Sequence, residues 1–310
     1  MSASPARIAA EISAAGATID PRATASLYAG LHEREPYADV EVVRDLHYGD
    51  HPRRLASTFV ARREGLAPRP VLVFLHGGGY IAGERRVRPD SPYYDNVGLW
   101  AARRGFIAVV ATYRLAPAAP WPAVQEDIAQ LLSWAAELAR VHGGGDPRSL
   151  FLMGHSAGAS HIAGYLGRPE FRARGPAVRG AILMSPTTGA TRDEDVLPDE
   201  AAFLDHERAY FGDDQTRYAE QDCLAGLAAA PVELLVIGPR LDPPFFVRRM
   251  ERLREAFERA GRGDQFVRLD DHNHMSQLFA LNTPDAAPGE AIFDFVAARL
   301  RPGTRWEMPA

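Results

Sequence analysis

Apolar residues fall along this chain in two alternating textures, short unbroken runs and longer spaced stripes. The run Pro70–Leu75 is continuous and rich in β-branched residues, as in a strand buried on both faces. Runs at Phe106–Thr112, Ser149–Met153, Gly180–Met184, Val232–Ile237 and Gln265–Leu269 predict further strands. Between and after them, residues 92–104, 122–141, 156–167, 245–260 and 288–300 read as helices. Val40–Tyr48 and Leu55–Ala61 alternate around the turn Gly49-Asp50-His51-Pro52, which predicts an antiparallel pair at the sheet edge. Residues 4–33 are helical with modest amphipathicity, and Asp20-Pro21 is a helix-start signal within them. Strand and helix in alternation predict an α/β architecture, a mostly parallel sheet with helices on both faces. Residues 187–230 break the rhythm: they hold acidic and aromatic residues but no clear strand. An insertion between two sheet strands predicts a lid or cap.

Composition narrows the picture. A chain of 310 residues that is 46% apolar can bury one large core. We therefore expect a single domain over 1–310, with an N-terminal helical segment (about 1–35) and the insertion (about 187–230) forming a cap. The net charge of −5 has no long single-sign run, so there is no electrostatic footprint for nucleic acid. Every basic residue is arginine, which removes Schiff-base lysines, Walker-type lysines and Ser-Lys dyads from consideration. With abundant Ala, Arg, Gly and Pro, it also suggests a GC-rich bacterial source. Cys223 is the only cysteine, so no intrachain disulfide can form and a reducing compartment fits. A lone cysteine reads as a small buried hydrophobe. No basic segment followed by a long apolar one opens the chain, and the expectation is a soluble, cytoplasmic protein without a membrane span.

Chemistry concentrates at four places. Gly154-His155-Ser156-Ala157-Gly158 follows Leu150–Met153 directly, and a strand that turns into a helix through Gly-x-Ser-x-Gly is a nucleophile elbow. The serine hydroxyl stands at a strained tip, and the amide of Ala157 can donate to a developing oxyanion. His76-Gly77-Gly78-Gly79-Tyr80 follows the buried run 70–75. Successive glycines let amides converge on one point, so Gly78 and Gly79 are the oxyanion-hole candidates beside Ala157. His76 is expected to brace that loop. A second His-Gly-Gly-Gly, at 142–145, follows a long helix and reads as its termination. The first copy lies about 80 residues before Ser156, the order in which oxyanion loop and elbow occur in α/β-hydrolases. An acid and a histidine should follow. Asp242 lies just past the run 232–237, although Asp-Pro-Pro also suits a cap on the helix near 245; Glu233 sits too early in the strand. In Asp270-Asp271-His272-Asn273-His274-Met275-Ser276 two histidines compete, and His274 is preferred over His272 as the base. His155 and His161 otherwise read as structural or surface groups. Candidate pocket residues are Tyr80, His155, Phe245, Phe246 and Met275, with Trp121 and Phe203 as further aromatics. The pair Asp270 and Asp271 could suggest a metal site, but no third ligand follows at metal-like spacing, so no metal is assigned, and the chemistry calls for no cofactor.

Together His76-Gly77-Gly78-Gly79, Tyr113-Arg114-Leu115-Ala116-Pro117, Trp121-Pro122-Ala123 with Asp127, and Gly154-His155-Ser156-Ala157-Gly158 resemble the hormone-sensitive-lipase-like carboxylesterases of the α/β-hydrolase superfamily. The resemblance is dense over about residues 70–165 and stays collinear through Asp242 and His274. It implies an eight-stranded, mostly parallel sheet flanked by helices with a helical cap, and a fold-supporting role for Arg114 and Asp127. It also implies a serine hydrolase acting on small-molecule carboxylic esters through an acyl-enzyme on Ser156. The segments Leu241-Asp242-Pro243-Pro244 and His272-Asn273-His274-Met275-Ser276 depart from the family pattern and are closer to the kynurenine formamidase and feruloyl esterase-like branch. An arylformamidase or other amidase with the same triad is therefore the alternative enzyme. A non-catalytic ligand-binding protein, similar to plant gibberellin receptors, is the alternative outside enzymes. The chain leaves a homodimer open.

Overall fold

The computed structural model describes residues 4–62, 68–88, 91–141, 144–192 and 200–300. Its strands are β1 (Val40–His47), β2 (Leu55–Ala61), β3 (Arg69–Leu75), β4 (Ile107–Ala111), β5 (Gly145–His155), β6 (Gly180–Met184), β7 (Glu233–Leu241) and β8 (Phe266–Asn273). They form one eight-stranded sheet in the order β1-β2-β4-β3-β5-β6-β7-β8. Only β2 runs against the rest, antiparallel to both β1 and β4. Pairings from β4 to β8 are parallel.

Helices cover both faces. They are α1 (Pro5–Ala15), α2 (Pro21–Tyr28), α3 (Asp95–Arg103), α4 (Ala123–Val141), α5 (Ala157–Leu166), α6 (Pro169–Arg172), α7 (Ala201–Phe211), α8 (Tyr218–Gln221), α9 (Leu224–Ala228), α10 (Pro244–Arg259), α11 (Ser276–Phe279) and α12 (Ala287–Ala297). The strand period of two sorts β3 between two cores. Val71, Val73 and Leu75 pack with α4 and α5, whereas Leu72 and Phe74 pack with α3 and the N- and C-terminal helices. The continuous apolar run of β3 is thus a consequence of burial on both sides, each such side chain contributing about 1.5–3 kcal/mol.

Three strands are longer than the apolar runs that predict them. β5 starts at Gly145, where it pairs with Arg69 of β3. Of the second His-Gly-Gly-Gly, Gly145 is already strand and α4 ends at Val141, while His142 and Gly143 lie outside the described residues. β7 and β8 continue past a register shift and pair Leu241 with Asn273. β8 is the terminal strand, so exposed Asp270 and Asp271 are tolerated there without an apolar pattern. The insertion between β6 and β7 holds α7, α8 and α9 and no strand among the described residues. No helix among the described residues is long and apolar enough to cross a membrane.

Candidate active site

Five polar residues follow directly on the C-terminal ends of five parallel strands: His76 after β3, Ser156 after β5, Ser185 after β6, Asp242 after β7 and His274 after β8. This is the edge at which open α/β sheets gather ligands. Ser156 occupies φ 53° and ψ −123°, between the end of β5 and the start of α5. A non-glycine residue in the left-handed half of the map costs about 1–3 kcal/mol and persists only where its surroundings impose it. Here the Ser156 amide donates to Met184 O at 2.8 Å, and Ser156 O accepts from the Ser160 amide at 2.9 Å. Close packing completes the turn. A Cβ on Gly158 would lie 2.3 Å from Leu75 O, so only glycine lets α5 approach the end of β3.

His274 and Asp242 form a buried, hydrogen-bonded pair. Nδ1 of His274 donates to Asp242 Oδ1 at 2.6 Å, and the two residues are only 2% and 4% exposed. The Asp242 side chain is therefore not a helix cap; α10 starts at Pro244 with Pro243 before it and no side-chain cap. Asp242 Oδ2 accepts from the Ser185 hydroxyl at 2.6 Å. Gln277 Nε2 donates both to Ser185 Oγ at 2.7 Å and to His274 O at 3.0 Å, which ties α11 to the acid and the histidine together. His155 Nε2 lies 2.8 Å from His274 O, and the two rings are 4.8 Å apart. Burial, and then the neighbouring His274, push the His155 imidazole down to about 3, so it stays neutral and donates to that carbonyl. With Nδ1 committed to Asp242, the free Nε2 of His274 is the atom able to take a proton. No hydrogen bond joins Ser156 Oγ to His274 among the described residues, yet both line one cavity of about 300 Å³.

The loop after β3 lies against the elbow: a Cβ placed on Gly77 would sit 3.1 Å from Ser156 Cβ. Gly78 has φ 135° and its carbonyl accepts the Ala82 amide at 3.0 Å. The amides of Gly78, Gly79 and Ala157 donate to no protein acceptor among the described residues, and all three residues line the cavity. Three free amides beside a serine can hold a negatively charged oxygen. His76 does not face this cavity. Its Nδ1 donates to Gly77 O at 2.7 Å, its ring stacks on Tyr113 at 4.5 Å, and burial lowers its pKa to about 4. Behind the loop, Asp127, 1% exposed, accepts from Arg114 Nε at 2.8 Å and Arg54 Nε at 2.9 Å, which ties both arginines to α4.

The cavity collects Tyr80, His155, Phe245, Phe246 and Met275, together with Phe203. Trp121 is elsewhere: it packs on Phe171 at 6.1 Å under the Arg168 guanidinium. His272 points away from the cavity, its Nδ1 3.1 Å from Ser276 Oγ and its Nε2 3.6 Å from Asp285. Asp270 is exposed and pairs with Arg268. Cys223 is buried, donates to Thr188 O at 3.1 Å, and burial raises its thiol well above its ordinary value.

Residues 72–277, well over half of the chain, match the family of alpha/beta hydrolase fold proteins. The chain belongs to that family. This alpha/beta hydrolase is 33% identical over 123 residues to a probable isoprenylcysteine alpha-carbonyl methylesterase of Oryza sativa subsp. japonica, a match covering 40% of this chain and 28% of that protein. It is 31% identical over 137 residues to esterase LipC of Mycobacterium tuberculosis, covering 43% and 32% of the two chains. The shared stretch thus spans about a third or less of these curated relatives. Among solved structures, a thermostable esterase from Pseudomonas putida superposes with a TM-score of 0.68 at 18% identity, covering 97% of this chain and 100% of that one. An esterase of the bacterial hormone-sensitive lipase family superposes with a TM-score of 0.66 at 23% identity, again over 97% and 100%. These likenesses extend the hydrolase fold over nearly the whole chain.

Sequence reasoning missed several residues of this hydrolase's site. Ser185 and Gln277, which lie outside the cavity lining and hold Asp242 and His274 from behind, were not candidates, although Ser185 stands directly after a parallel strand and Gln277 one helical turn after His274. Ile19, Pro21 and Tyr94, and His206 and Glu207 of α7, also line the cavity and carry no motif. Only the topology brings them there.

Proposed function

We propose that this chain is a serine hydrolase that cleaves carboxylic esters through an acyl-enzyme on Ser156. The observation that carries the reading is the buried Asp242–His274 pair at 2.6 Å, opening on the cavity that Ser156 also lines. Ser156 Oγ attacks the ester carbonyl while His274 Nε2 takes its proton. Asp242 holds the imidazole in the tautomer with Nδ1–H and stabilises the imidazolium. The amides of Gly78, Gly79 and Ala157 hold the oxyanion, one such donor lowering the barrier by about 3 kcal/mol. His274 then protonates the leaving alcohol oxygen, and the C–O bond to it breaks. Water, deprotonated by the same histidine, attacks the acyl carbon and frees Ser156 and the acid. These steps use no metal or cofactor. The esterase names of the matched relatives support the reading.

The N-terminal helices and the 187–230 insertion serve as the cap of a single domain in this reading. Its support is that Ile19 and Pro21 from one, and Phe203, His206 and Glu207 from the other, line the same cavity. A cytoplasmic setting in a bacterium is part of the same proposal, supported by the buried, unpaired Cys223 and the arginine-only basic composition.

A fluorophosphonate probe is expected to label Ser156, and Ser156→Ala to abolish the label. Short-acyl aryl esters are expected to turn over faster than an N-formyl arylamine; the reverse would assign the amidase activity instead. His274→Ala should lower kcat by about 10⁴-fold or more, and His272→Ala far less. An intact, unlabelled protein that binds esters without turnover would make it a ligand-binding protein.

A further inference from the structure

Three buried hydroxyls stand in line beside the elbow. Tyr80, directly after Gly79, has its hydroxyl 2.8 Å from Thr187 Oγ1. Thr187 Oγ1 lies 3.0 Å from Ser160 Oγ, and the Thr187 amide donates to that same Ser160 Oγ at 2.9 Å. Ser160, in the first turn of α5, donates from Oγ to Ser156 O at 3.1 Å. Each hydroxyl has one proton to give, and Ser156 O can only accept. The end of the chain therefore sets its direction: Ser160 donates to Ser156 O, Thr187 to Ser160, and Tyr80 to Thr187. The reverse order would leave the buried Tyr80 proton without an acceptor among the described residues, which is the costlier arrangement.

The two ends of this chain belong to the two halves of the oxyanion hole. Gly78 and Gly79 precede Tyr80, and Ala157 follows Ser156. Tyr80 and Ser156 both have positive φ, 69° and 53°. Non-glycine residues persist there only where their surroundings impose it. Tyr80 is held from three sides: its ring stacks on Tyr210 of α7 at 4.8 Å, its carbonyl accepts the Ala116 amide at 3.1 Å, and its hydroxyl reaches Thr187. The last of these leads to the elbow. Thr187 belongs to neither half; it comes from the loop after β6.

We infer that Thr187 is a positioning residue whose hydroxyl, through Tyr80 on one side and Ser160 on the other, fixes the Gly78 and Gly79 amides relative to the Ala157 amide. The inference rests on the serine-esterase reading and adds to it what sets the spacing of the oxyanion donors. All three residues line the cavity, yet their hydroxyls are spent on one another. Their effect therefore falls on the transition state, where charge reaches the oxyanion, and not on substrate binding.

Thr187→Val keeps the branched shape and removes the link, whereas Thr187→Ser keeps the hydroxyl. Tyr80→Phe cuts the same chain at its first member and strands no donor, since Thr187 still donates to Ser160. Removing one oxyanion donor costs about 10²–10³ in kcat, and donors displaced but not removed are expected to cost about tenfold. On 4-nitrophenyl butyrate, Thr187→Val and Tyr80→Phe should each lower kcat by about that tenfold at nearly constant KM, and Thr187→Ser should keep most of the wild-type kcat. The double variant should lose no more than either single one, because one chain is cut twice. Butyl trifluoromethyl ketone adds to Ser156 Oγ and carries an oxyanion; it should bind about tenfold more weakly to both single variants. If Thr187→Val does not fold, Tyr80→Phe carries the test alone. Unchanged kcat and ketone affinity, a rise in KM at constant kcat, or losses that multiply in the double variant overturn the inference, while wild-type turnover and labelling of Ser156 keep the esterase reading. A wild type with neither turnover nor label overturns both.

Discussion

At the scale of single residues, the site depends on groups that hold the acid as much as on the acid itself. Asp242 places one oxygen on His274 and the other on the Ser185 hydroxyl, both at 2.6 Å. A hydrogen bond to a charged group is worth about 1.5–3 kcal/mol, which is about tenfold or more in rate if it is spent on the transition state. Ser185→Ala is expected to lower kcat about tenfold with little change in KM, because Ser185 lies outside the cavity lining and acts through Asp242. Ser185 has φ 50°, so the loss of the hydroxyl must be separated from backbone effects. Ser185→Gly relaxes that φ and still removes the donor, so it should show the same kcat defect. Steady-state kinetics on one aryl ester decides it; unchanged kcat in both variants would reduce Ser185 to a packing residue. His155 illustrates the same division of labour. It lines the cavity, yet its hydrogen bond goes to the backbone of His274, and its neutral ring adds no charge beside the imidazolium.

At the scale of elements, the elbow is a packing solution before it is a chemical one. The end of β3, the end of β5 and the start of α5 meet where Gly158 lies 2.3 Å, by its absent Cβ, from Leu75 O and 2.5 Å from His76 O. Gly158→Ala must push α5 away from β3, at about 1–3 kcal/mol for overpacking. Thermal unfolding should report a fall of about 2–5 °C in Tm, since each kcal/mol shifts Tm by only about 2 °C in a chain of this size. Whatever folds should lose the proposed esterase activity as well, because the displaced residues Leu75 and His76 lead into the proposed oxyanion loop. A variant with unchanged Tm and activity would mean that the two elements do not touch as described. The elements themselves were largely legible from the chain. Buried strands announce themselves as apolar runs, and the glycine patterns of the elbow and oxyanion loop are local. What was not legible has a physical cause in each case. The ends of β7 and β8 run past their apolar cores, since Leu241 and Asn273 pair through backbone alone. Ser185, Gln277 and Glu207 are single polar residues without a motif, brought to the site by a sheet order that no local pattern encodes. Trp121 failed as a pocket residue because an aromatic side chain beside a motif serves the core as readily as a cavity.

At the scale of the whole molecule, three histidines are almost fully buried. His76, His155 and His161 are each no more than 1% exposed. Burial is the leading cause that lowers their pKa values, to about 4 for His76 and about 3 for the other two. All three are neutral in the folded protein at pH 7, and above pH ~6.5 the unfolded chain leaves them neutral as well, so they do not bias folding there. Below pH ~6.5 the unfolded chain protonates them and the folded protein does not, so each destabilises the fold progressively until its folded pKa is reached. One such histidine adds a slope of about 1.4 kcal/mol per pH unit within that window. Urea denaturation at pH 7, 6 and 5 is therefore expected to show stability falling steeply with acid. His161→Asn should make that fall shallower by about one proton, while Tyr210 OH, now 3.1 Å from His161 Nδ1, keeps a polar partner. The asparagine variant will be less stable at pH 7 because it fills less of the core, so the slope and not the midpoint is the quantity to compare. Equal slopes in the two proteins would mean that His161 exchanges protons in the folded state as freely as in the unfolded one, and that the interior around the oxyanion loop is open to water.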